Sequence, residues 1–448
     1  MWAPDRPAIA AAAATAISEY FFFKVFPLCR SGDGSLLPIE PVAEILGAGI
    51  LFRIVFSRNL LASFAPSKRK TSTCYEDVIK VERGWQNMKI TNVDVVLEER
   101  PGFSPSFVWR KNVPGSDGPT TGAWLVIETD AGITGFASAP RGVIFKDYVD
   151  RRFRAELIGQ DPLQREYLWE RAWELDRIER FAPNMAHVVD VALWDIGGKQ
   201  ANLPVYKLLG NFRESLPAYA STVTYSSIEE FLDIADQALA LGYPAIKLHA
   251  FGDAKKDALL GERLRAHVGD DVPLMYDGSA GFDLMDAVYL GHSLHDSGFL
   301  WYEEPMREFS ITAYKWLGER VRIPLLLGEV TDGAHMSAGD FAATGVATAL
   351  RTSTFLRGGF TGAMRIAHLA DAYHLRAEVH GFGLESAHLC MAIKNTTYYE
   401  SLIWGNPIKR EALVDAQGNV HGPKGPGVGY ETIWAQSGIP KGLEKYVK

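Results

Sequence analysis

The fold is decided by VPLMYD (272–277), GFLWYE (298–303) and IPLLLGE (323–329), three short apolar runs that each end in an acid. The terminal acids are equally spaced, because 303 − 277 = 26 and 329 − 303 = 26. A helix-like stretch follows each run, and this strand–helix period is typical of a parallel barrel. The sequence therefore predicts an α/β barrel in which three successive strands end in these acids.

Asp277, Glu303 and Glu329 are predicted to hold a divalent cation. Acids that end successive barrel strands emerge on one face, and the catalytic groups of such barrels lie on that face. Three converging carboxylates repel one another unless a hard cation neutralises them, and Mg²⁺ prefers such oxygen ligands. Its octahedral shell, with oxygens at about 2.0–2.1 Å, would leave positions for a substrate that supplies oxygen atoms. The alternative is that the acids cap the following helices.

Composition bounds the class of protein. The chain has 448 residues, of which 47% are hydrophobic, enough for a large core and two domains rather than one. A net charge of −8 argues against a nucleic-acid partner.

The three cysteines are far apart and form no CxxC pair, so a reducing, cytoplasmic setting is expected. No uncharged apolar run reaches the roughly 18 residues of a membrane helix, so no membrane partner is expected. A homo-oligomer is expected as well.

Four segments are expected along the chain. Residues 1–87 show no sustained period and are expected to be a disordered extension or a wrongly assigned start, with a targeting segment as the alternative. Residues 88–215 open with the strand-like MKITNVDVVL and predict a small α+β domain. Residues 216–400 carry the barrel and its site. Residues 401–448 are expected to return to the first domain.

The first barrel helix is predicted over 227–241. It opens with Ser226 and Glu229, which have the spacing of a capping box. Gly242 ends the helix before the strand YPAIKLH.

The region 88–448 contains a series of short motifs: ALWDIGGKQANLPVYKLLG (192–210), KLH (247–249), DGSAGF (277–282), WYEEP (301–305), GE (328–329), RGGFTGA (357–363) and VHGFG (379–383). Their residues and order resemble the enolase superfamily, in its mandelate racemase-like branch. The resemblance implies a modified (β/α)₇β TIM-like barrel with an α+β capping domain, one essential Mg²⁺, and abstraction of a proton α to a carboxylate. It also implies that Asp277, Glu303 and Glu329 are the ligands, and that Glu304 is structural or lies behind them.

Lys247 and His249 are two residues apart on a predicted strand, so both side chains point into the pocket. The family usually has Lys-x-Lys here, the first lysine neutralising the substrate carboxylate and the second acting as the base. The resemblance therefore implies that Lys247 binds the carboxylate and that His249 is the base. Histidine has an unperturbed pKa of about 6.5, which suits proton transfer at neutral pH. The alternative is that His249 only hydrogen-bonds at the strand end.

His380 matches the family's histidine on the seventh strand, which acts from the opposite face of the substrate. That histidine normally pairs with an aspartate five residues before the Gly-Gly step, where this chain has Ser353. Without a carboxylate partner His380 should be less basic, which favours the role of an acid over that of a base. As a local substitute we predict an ion pair between Arg351 and Glu378 beneath the site. The alternative is a strand bulge that turns both side chains outward.

Glu400 matches an acid on the eighth strand that hydrogen-bonds the substrate, with a helix or loop cap as the alternative. Specificity in the family comes from loops of the capping domain, where the substrate-binding candidates are Trp109, Arg110 and Arg141. An arginine suits a second carboxylate or the hydroxyls of a sugar acid.

These residues predict a Mg²⁺-dependent lyase of the acid-sugar dehydratase type, in which a base removes the α-proton and an acid helps the β-hydroxyl to leave. A racemase or epimerase is the closest alternative, with His249 and His380 on opposite sides of one carbon, and a cycloisomerase is the third. Because Ser353 and His249 depart from the family pattern, a binding or structural member with little activity is the alternative of another class. The three intact acids argue against it.

Overall fold

The computed structural model describes residues 40–46, 49–55, 88–179 and 183–447. Within the predicted extension, strands β1 (Glu40–Leu46) and β2 (Gly49–Val55) pair antiparallel. The expectation that residues 1–87 are a disordered extension or a wrongly assigned start stays a prediction. The remaining residues of the extension lie outside the described part of the chain.

A three-stranded antiparallel meander opens the region that begins at residue 88. Its strands, in spatial order, are β3 (Ile90–Arg100), β4 (Thr120–Thr129) and β5 (Thr134–Ala139). The helices that follow are α1 (Gly142–Tyr148), a π-helical turn (Val149–Phe153), α2 (Arg154–Leu157), α3 (Arg165–Glu179), α4 (Pro183–Ala201) and α5 (Val205–Leu209). Helices α1 and α4 pack on the sheet. Apolar residues on one face of the strands, such as Val93 and Val95, are buried by this packing.

Eight parallel strands form a nearly closed barrel. In chain order they are β6 (Ser215–Ser221), β7 (Ala245–His249), β8 (Leu274–Asp277), β9 (Tyr302–Glu303), β10 (Leu325–Leu327), β11 (Ala349–Thr352), β12 (Arg376–Val379) and β13 (Tyr399–Leu402). Strands that are consecutive from β6 to β12 are neighbours in the sheet, and β13 lies beside β6. A short strand, β14 (Asn419–His421), pairs antiparallel with β6. The predicted barrel with its capping domain is confirmed.

Helices connect the barrel strands: α6 (Ile228–Ala240), α7 (Ala254–Val268), α8 (Leu284–Asp296), α9 (Ile311–Gly318), α10 (Ala334–Ala343), α11 (Gly359–Ala372) and α12 (Leu384–Ala392). The capping box of α6 lies one residue later than predicted. Ser227, rather than Ser226, is the N-cap, and its hydroxyl accepts from the amide of Glu230. The Glu230 carboxylate accepts in return from the amide of Ser226. The return bond therefore reaches the residue before the N-cap, so the predicted capping box is formed only in part.

Side chains from the barrel strands fill the interior below the strand ends, and Tyr219 and Trp301 are the largest of this layer. The C-terminal helix α13 (Tyr430–Ser437) packs against the capping domain. Trp434 of this helix meets Phe136 of β5 with ring centroids 5.1 Å apart. The end of the chain therefore completes the core of the capping domain.

Among the helices of the described ranges, none has both the length and the apolar character that crossing a bilayer requires. The cytoplasmic location and the homo-oligomer stay predictions.

Candidate active site

The ends of β8, β9 and β10 bring three acids to one point. One carboxylate oxygen each of Asp277, Glu304 and Glu329 lies within 4.8 Å of the other two. Asp277 is the last residue of β8, Glu304 follows β9 directly, and Glu329 lies two residues after β10. Parallel strands present their carboxyl ends on the same face of a barrel, so the three side chains converge. We call these three carboxylates the oxygen triad.

Gly328 turns the chain between β10 and Glu329. Its φ of 91° lies in the left-handed region, which glycine adopts without the penalty of a side chain. The Glu308 carboxylate accepts hydrogen bonds from the amides of Gly328 and Val330, on either side of Glu329. Glu308, which no sequence signal singled out, therefore fixes the backbone that presents Glu329.

Glu303, the predicted second ligand, does not join the oxygen triad. Its carboxylate is fully buried and forms ion pairs with Lys247 Nζ, at 3.0 Å, and with Arg351 Nε. The next residue, Glu304, has a φ of 25°, and this left-handed turn brings its carboxylate to the triad. In this arrangement Glu304, rather than Glu303, contributes the third clustered oxygen, and the assignment of Glu303 as a ligand stays a prediction.

The electrostatics of the oxygen triad favour a cation. Burial raises the pKa of Glu304 and of Glu329 well above the usual range, and neighbouring carboxylates raise both further. Burial would also raise the pKa of Asp277, but the charges of His249 and Lys247 outweigh it and hold that pKa below its usual value. One buried oxygen of Glu304 and one of Glu329 have no hydrogen-bond partner among the described residues. Mg²⁺ prefers such carboxylate oxygens and would displace their protons, so this donor set fits the ion.

Lys247 is fully buried and binds three carboxylates. Its Nζ lies 3.1 Å from Asp277, 3.0 Å from Glu303 and 2.8 Å from Glu400. Burial would lower the pKa of Lys247, but the charges of Glu303 and Glu400 raise it well above its usual value. An ammonium group has three N–H donors, and three carboxylates surround this one. Lys247 therefore balances the charge of the acids, and its contact with the substrate carboxylate stays a prediction.

His249 presents one ring nitrogen to the oxygen triad. Its Nδ1 lies 2.6 Å from the carbonyl oxygen of Thr222, and because a carbonyl only accepts, Nδ1 carries the proton. Its Nε2 lies 3.0 Å from Asp277. Thr222 therefore fixes the tautomer and leaves Nε2 to exchange protons on the triad side. His249 thus makes its strand-end hydrogen bond through Nδ1, while Nε2 is the nitrogen of the predicted base.

His380 adjoins the other side of the oxygen triad. Its Nε2 is 3.4 Å from Glu329 Oε1, and its Nδ1 is buried with no hydrogen-bond partner in the described ranges. Burial lowers the pKa of His380 to about 4. The Ser353 hydroxyl accepts from the amides of Phe355 and Leu356 and so closes a turn. Ser353 thus supplies no carboxylate to His380, which is weakly basic.

Glu400, the predicted substrate contact, belongs to a buried charge network. Its carboxylate lies 2.8 Å from Lys247 Nζ and 2.9 Å from Arg351 Nη2. It also accepts from Ser221 Oγ at 2.9 Å and from the Gly381 amide at 2.8 Å. These four donors lie at the acceptor sites of the carboxylate, and the substrate contact of Glu400 stays a prediction.

The predicted ion pair between Arg351 and Glu378 is wrong. The two residues are register partners on β11 and β12, and both are buried. The Arg351 guanidinium reaches across the barrel to Glu303 and Glu400, while Glu378 accepts from the Thr397 amide and hydroxyl. Two carboxylates inside the barrel therefore outcompete the one on the neighbouring strand, and the outward bulge is not observed either.

Trp109 is the substrate-binding candidate that reaches the site. Its ring lies over the His249 imidazole, with centroids 4.6 Å apart. Main-chain bonds attach the loop on both sides of Trp109: the Thr224 amide donates to the Val108 carbonyl at 3.0 Å, and the Lys111 amide donates to the Phe251 carbonyl at 3.2 Å. The loop of the capping domain is therefore fastened over the predicted base.

The two candidate arginines have other positions. Arg110 Nε donates to the carbonyl of Ser279 at 3.0 Å and so helps to hold the loop. Arg141 is exposed at the start of α1, and no hydrogen bond or ion pair joins it to the oxygen triad within the described residues.

Comparison with known proteins identifies the family. The family described as Mandelate racemase / muconate lactonizing enzyme, N-terminal domain, matches residues 116–210, and the family described as Enolase C-terminal domain-like matches residues 230–435. The chain belongs to the mandelate racemase-like branch of the enolase superfamily. Its barrel and capping domain are those of an enolase-superfamily enzyme, and the resemblance read from the motifs is confirmed.

Several enolase-superfamily members are similar along most of their length. The structure of D-glucarate dehydratase from Agrobacterium tumefaciens, complexed with magnesium, is 30% identical with a TM-score of 0.68, over 77% of this chain and 96% of that one. The 3,6-anhydro-alpha-L-galactonate cycloisomerase of Streptomyces coelicolor is 29% identical over 64% of this chain and 81% of its own. The D-galactarolactone cycloisomerase of Agrobacterium fabrum is 28% identical over 68% and 87%. This superfamily member is therefore similar to both dehydratases and cycloisomerases.

Proposed function

We propose that this protein is a Mg²⁺-dependent lyase that dehydrates a sugar acid after abstraction of the proton α to its carboxylate. The observation that carries the proposal is the oxygen triad with a histidine nitrogen on each side: His249 Nε2 beside Asp277, and His380 Nε2 beside Glu329. Dehydration needs two such groups, because one removes a proton and the other protonates the leaving hydroxyl. The similarity to a magnesium-containing D-glucarate dehydratase supports the same reaction class.

Carboxylates of this chain would hold the ion. Asp277 and Glu329 supply two of them, and the Glu303–Glu304 pair supplies the third. When bound, Mg²⁺ provides the positive charge that stabilises the second negative charge developing on the substrate carboxylate. Lys247 keeps a fixed positive charge 3.1 Å from Asp277 and so limits the repulsion among the acids.

His249 is the proposed base. For this step the ring starts neutral, with its one proton on Nδ1 bonded to the carbonyl of Thr222, and the α-proton passes to the free electron pair of Nε2. The imidazolium that forms lies between two acceptors, the Thr222 carbonyl and Asp277, which both stabilise its charge. The Trp109 ring meets the imidazole at an angle of 45°, and its π-electrons favour the cation.

His380 is the proposed acid. Because His249 and His380 adjoin different members of the oxygen triad, a substrate bound between them presents its α-proton to one and its β-hydroxyl to the other. The negative charge of the bound substrate favours the His380 imidazolium, whose proton passes to that hydroxyl, and the hydroxyl leaves as water.

Cycloisomerisation is the second candidate, because two of the compared relatives are cycloisomerases. It shares the removal of an α-proton and differs in the bond that breaks next. Racemisation or epimerisation would use the two histidines on opposite faces of one carbon. A binding or structural role is disfavoured, since it gives no reason for clustering three buried carboxylates in which oxygens of Glu304 and Glu329 accept no hydrogen bond among the described residues.

A library of sugar acids, incubated with the protein and Mg²⁺ in D₂O, tests the proposal. Proton NMR distinguishes loss of water, which indicates a lyase, from deuterium at the α-carbon without loss of water, which indicates epimerisation. Conversion of a lactone or anhydro-sugar acid into an isomer of equal mass indicates a cycloisomerase. Neither turnover nor exchange with any acid, in a protein that binds Mg²⁺, would refute the proposed function.

A further inference from the structure

Three consecutive barrel strands end in loops that expose large apolar side chains. The loops follow β10, β11 and β12, at residues 328–333, 353–358 and 380–383. Val330, Phe355 and Phe382 each lie three residues after their strand, and they are 46%, 44% and 49% exposed. The three strands are hydrogen-bonded neighbours, so these positions follow one another along the mouth of the barrel. We call Val330, Phe355 and Phe382 the apolar arc.

The apolar arc lies beside the proposed catalytic groups. Val330 directly follows Glu329 of the oxygen triad, and Phe382 is two residues from His380, the proposed acid. Adjoining apolar side chains that are exposed to water beside a site are typical of a binding surface. The arc is therefore placed to contact the part of a substrate that extends from the catalytic groups toward the mouth of the barrel.

A row of aromatic rings continues this apolar border on the other side of the mouth. Trp404, two residues after β13, meets Phe103 of the capping-domain loop with ring centroids 5.2 Å apart. Phe103 meets Phe107 at 4.9 Å, and Phe107 meets Trp109 at 5.1 Å. Trp109 in turn lies beside His249 at the end of β7. Apolar side chains therefore border the site from β10 to β13 and on to β7.

The charged groups near the arc do not favour a second anionic group on the substrate. Asp332 is the other exposed residue of the three loops, and its charge repels a carboxylate. Arg357 of the same loops is buried and donates to the Thr331 hydroxyl at 3.1 Å. Arg110 donates to main-chain carbonyls, and within the described residues no hydrogen bond or ion pair joins Arg141 to the oxygen triad.

We propose that the apolar arc is a binding subsite for hydrocarbon, and that the sugar acid which this site takes ends in an apolar group, such as the methyl group of a deoxy sugar acid. The inference rests on the proposed function and names a substrate class within it. A substrate with its α- and β-carbons between the two histidines extends its remaining carbons toward the mouth. Contact between an apolar end and the arc removes apolar surface of both from water, which favours binding.

Calorimetric titration with unbranched 2-hydroxy acids, in the presence of Mg²⁺, tests the subsite without any assay of activity. The enantiomerically pure acids from 2-hydroxypropanoate to 2-hydroxyhexanoate share the carboxylate and the α-hydroxyl, and each is one methylene longer than the one before. Burial of each added methylene should lower the dissociation constant by about fourfold. The heat-capacity change of binding should become more negative along the series.

Variants of the arc locate the contact. Phe355→Ser and Phe382→Ser remove apolar surface from the mouth, so the gain in affinity per methylene should fall to about twofold or less, while the affinity for the shortest acid stays within a few-fold. Tyr373→Ser is the matched control, because Tyr373 is an aromatic residue of the same exposure, 49%, at the end of α11 and so on the opposite face of the barrel. Its gain per methylene should equal that of the starting protein.

Matched sugar acids extend the test to turnover. The kcat/KM of a 6-deoxyhexonate should exceed that of the hexonate of the same configuration by about tenfold, because the hexonate places a hydroxyl against the arc, and Phe382→Ser should reduce this ratio. An affinity that is independent of chain length, or a preference for the hexonate, would overturn the inference and leave the proposed function intact. A changed oligomeric state of Phe382→Ser with an unchanged gain per methylene would assign the arc to contacts between copies of the chain and would also overturn it. If no 2-hydroxy acid binds and no sugar acid is turned over with Mg²⁺, the proposed function fails as well.

Discussion

His388 should make the stability of this protein strongly dependent on pH. The residue is fully buried on α12, where its Nδ1 accepts from the Tyr206 amide at 3.1 Å and its Nε2 lies 2.9 Å from the Val428 carbonyl. These partners require a neutral ring with the proton on Nε2. Burial lowers the pKa of His388 to about 4. Protonation would place a charge in the core and break the bond from Tyr206.

The sign of the effect follows from the two pKa values. The unfolded chain has a histidine pKa of about 6.5, so between about pH 6.5 and pH 4 the unfolded state binds more protons than the folded one. The contribution of His388 is therefore complete above about pH 6.5 and is lost as the pH falls through that window. With pKa values of about 6.5 and about 4, linkage gives a loss of about 2 kcal/mol between about pH 7 and pH 5.

Urea unfolding of the starting protein and of His388→Gln, at both pH values, measures this quantity. Glutamine is uncharged and retains a donor for the Val428 carbonyl, so the variant should be less stable at pH 7 and lose about 2 kcal/mol less on acidification. Both proteins share all other titrating groups, so subtracting the loss of stability of one protein from that of the other removes the contributions of those groups. His292→Gln, on the exposed side of α8, is the control. Its free energy of unfolding should fall on acidification as much as that of the starting protein. Parallel stability curves for the starting protein and His388→Gln would refute the reasoning.

Three further outcomes are expected. His249→Asn should stop exchange of the substrate α-proton in D₂O, whereas His380→Asn should slow loss of the hydroxyl and leave exchange measurable by NMR; the opposite pattern would reverse the two roles. Lys247→Met removes the cation among three buried carboxylates and should lower the free energy of unfolding by about 3–5 kcal/mol in urea titrations; an unchanged midpoint would contradict its charge-balancing role. A chain that starts at Met88 should keep its melting temperature and activity, and a large fall in either would show that the preceding residues are integral.

Periodicity was sufficient to predict the barrel and two members of the oxygen triad. Asp277 and Glu329 follow apolar strands at a fixed interval, and parallel strands of one barrel must end on one face. The position of Glu304 was not predictable in this way, because it depends on one left-handed residue that decides which of two adjacent acids lies beside Asp277 and Glu329. Nothing in the letters of WYEEP distinguishes the two glutamates.

Long-range partners explain the other differences. The hypothesis of an ion pair between Arg351 and Glu378 considered only neighbouring strands. The arginine side chain is long enough to reach Glu303 on β9 and Glu400 on β13. Glu400 has the position that the family pattern implies, yet its acceptor sites are filled by four donors from other elements. Which partner a buried charge selects is a property of the packed interior, and strand spacing does not determine it.

The attachment of the loop around Trp109 bears on how new substrates can be acquired. The bonds at Val108 and Lys111 use backbone atoms alone, and such bonds form with almost any side chain at those positions. Replacements in the loop can therefore reshape the roof of the pocket while the loop keeps its path and the catalytic face beneath it stays unaltered. A scaffold with this property can diversify its substrates by exchanging exposed side chains around Trp109, while Trp109 itself stays beside the proposed base.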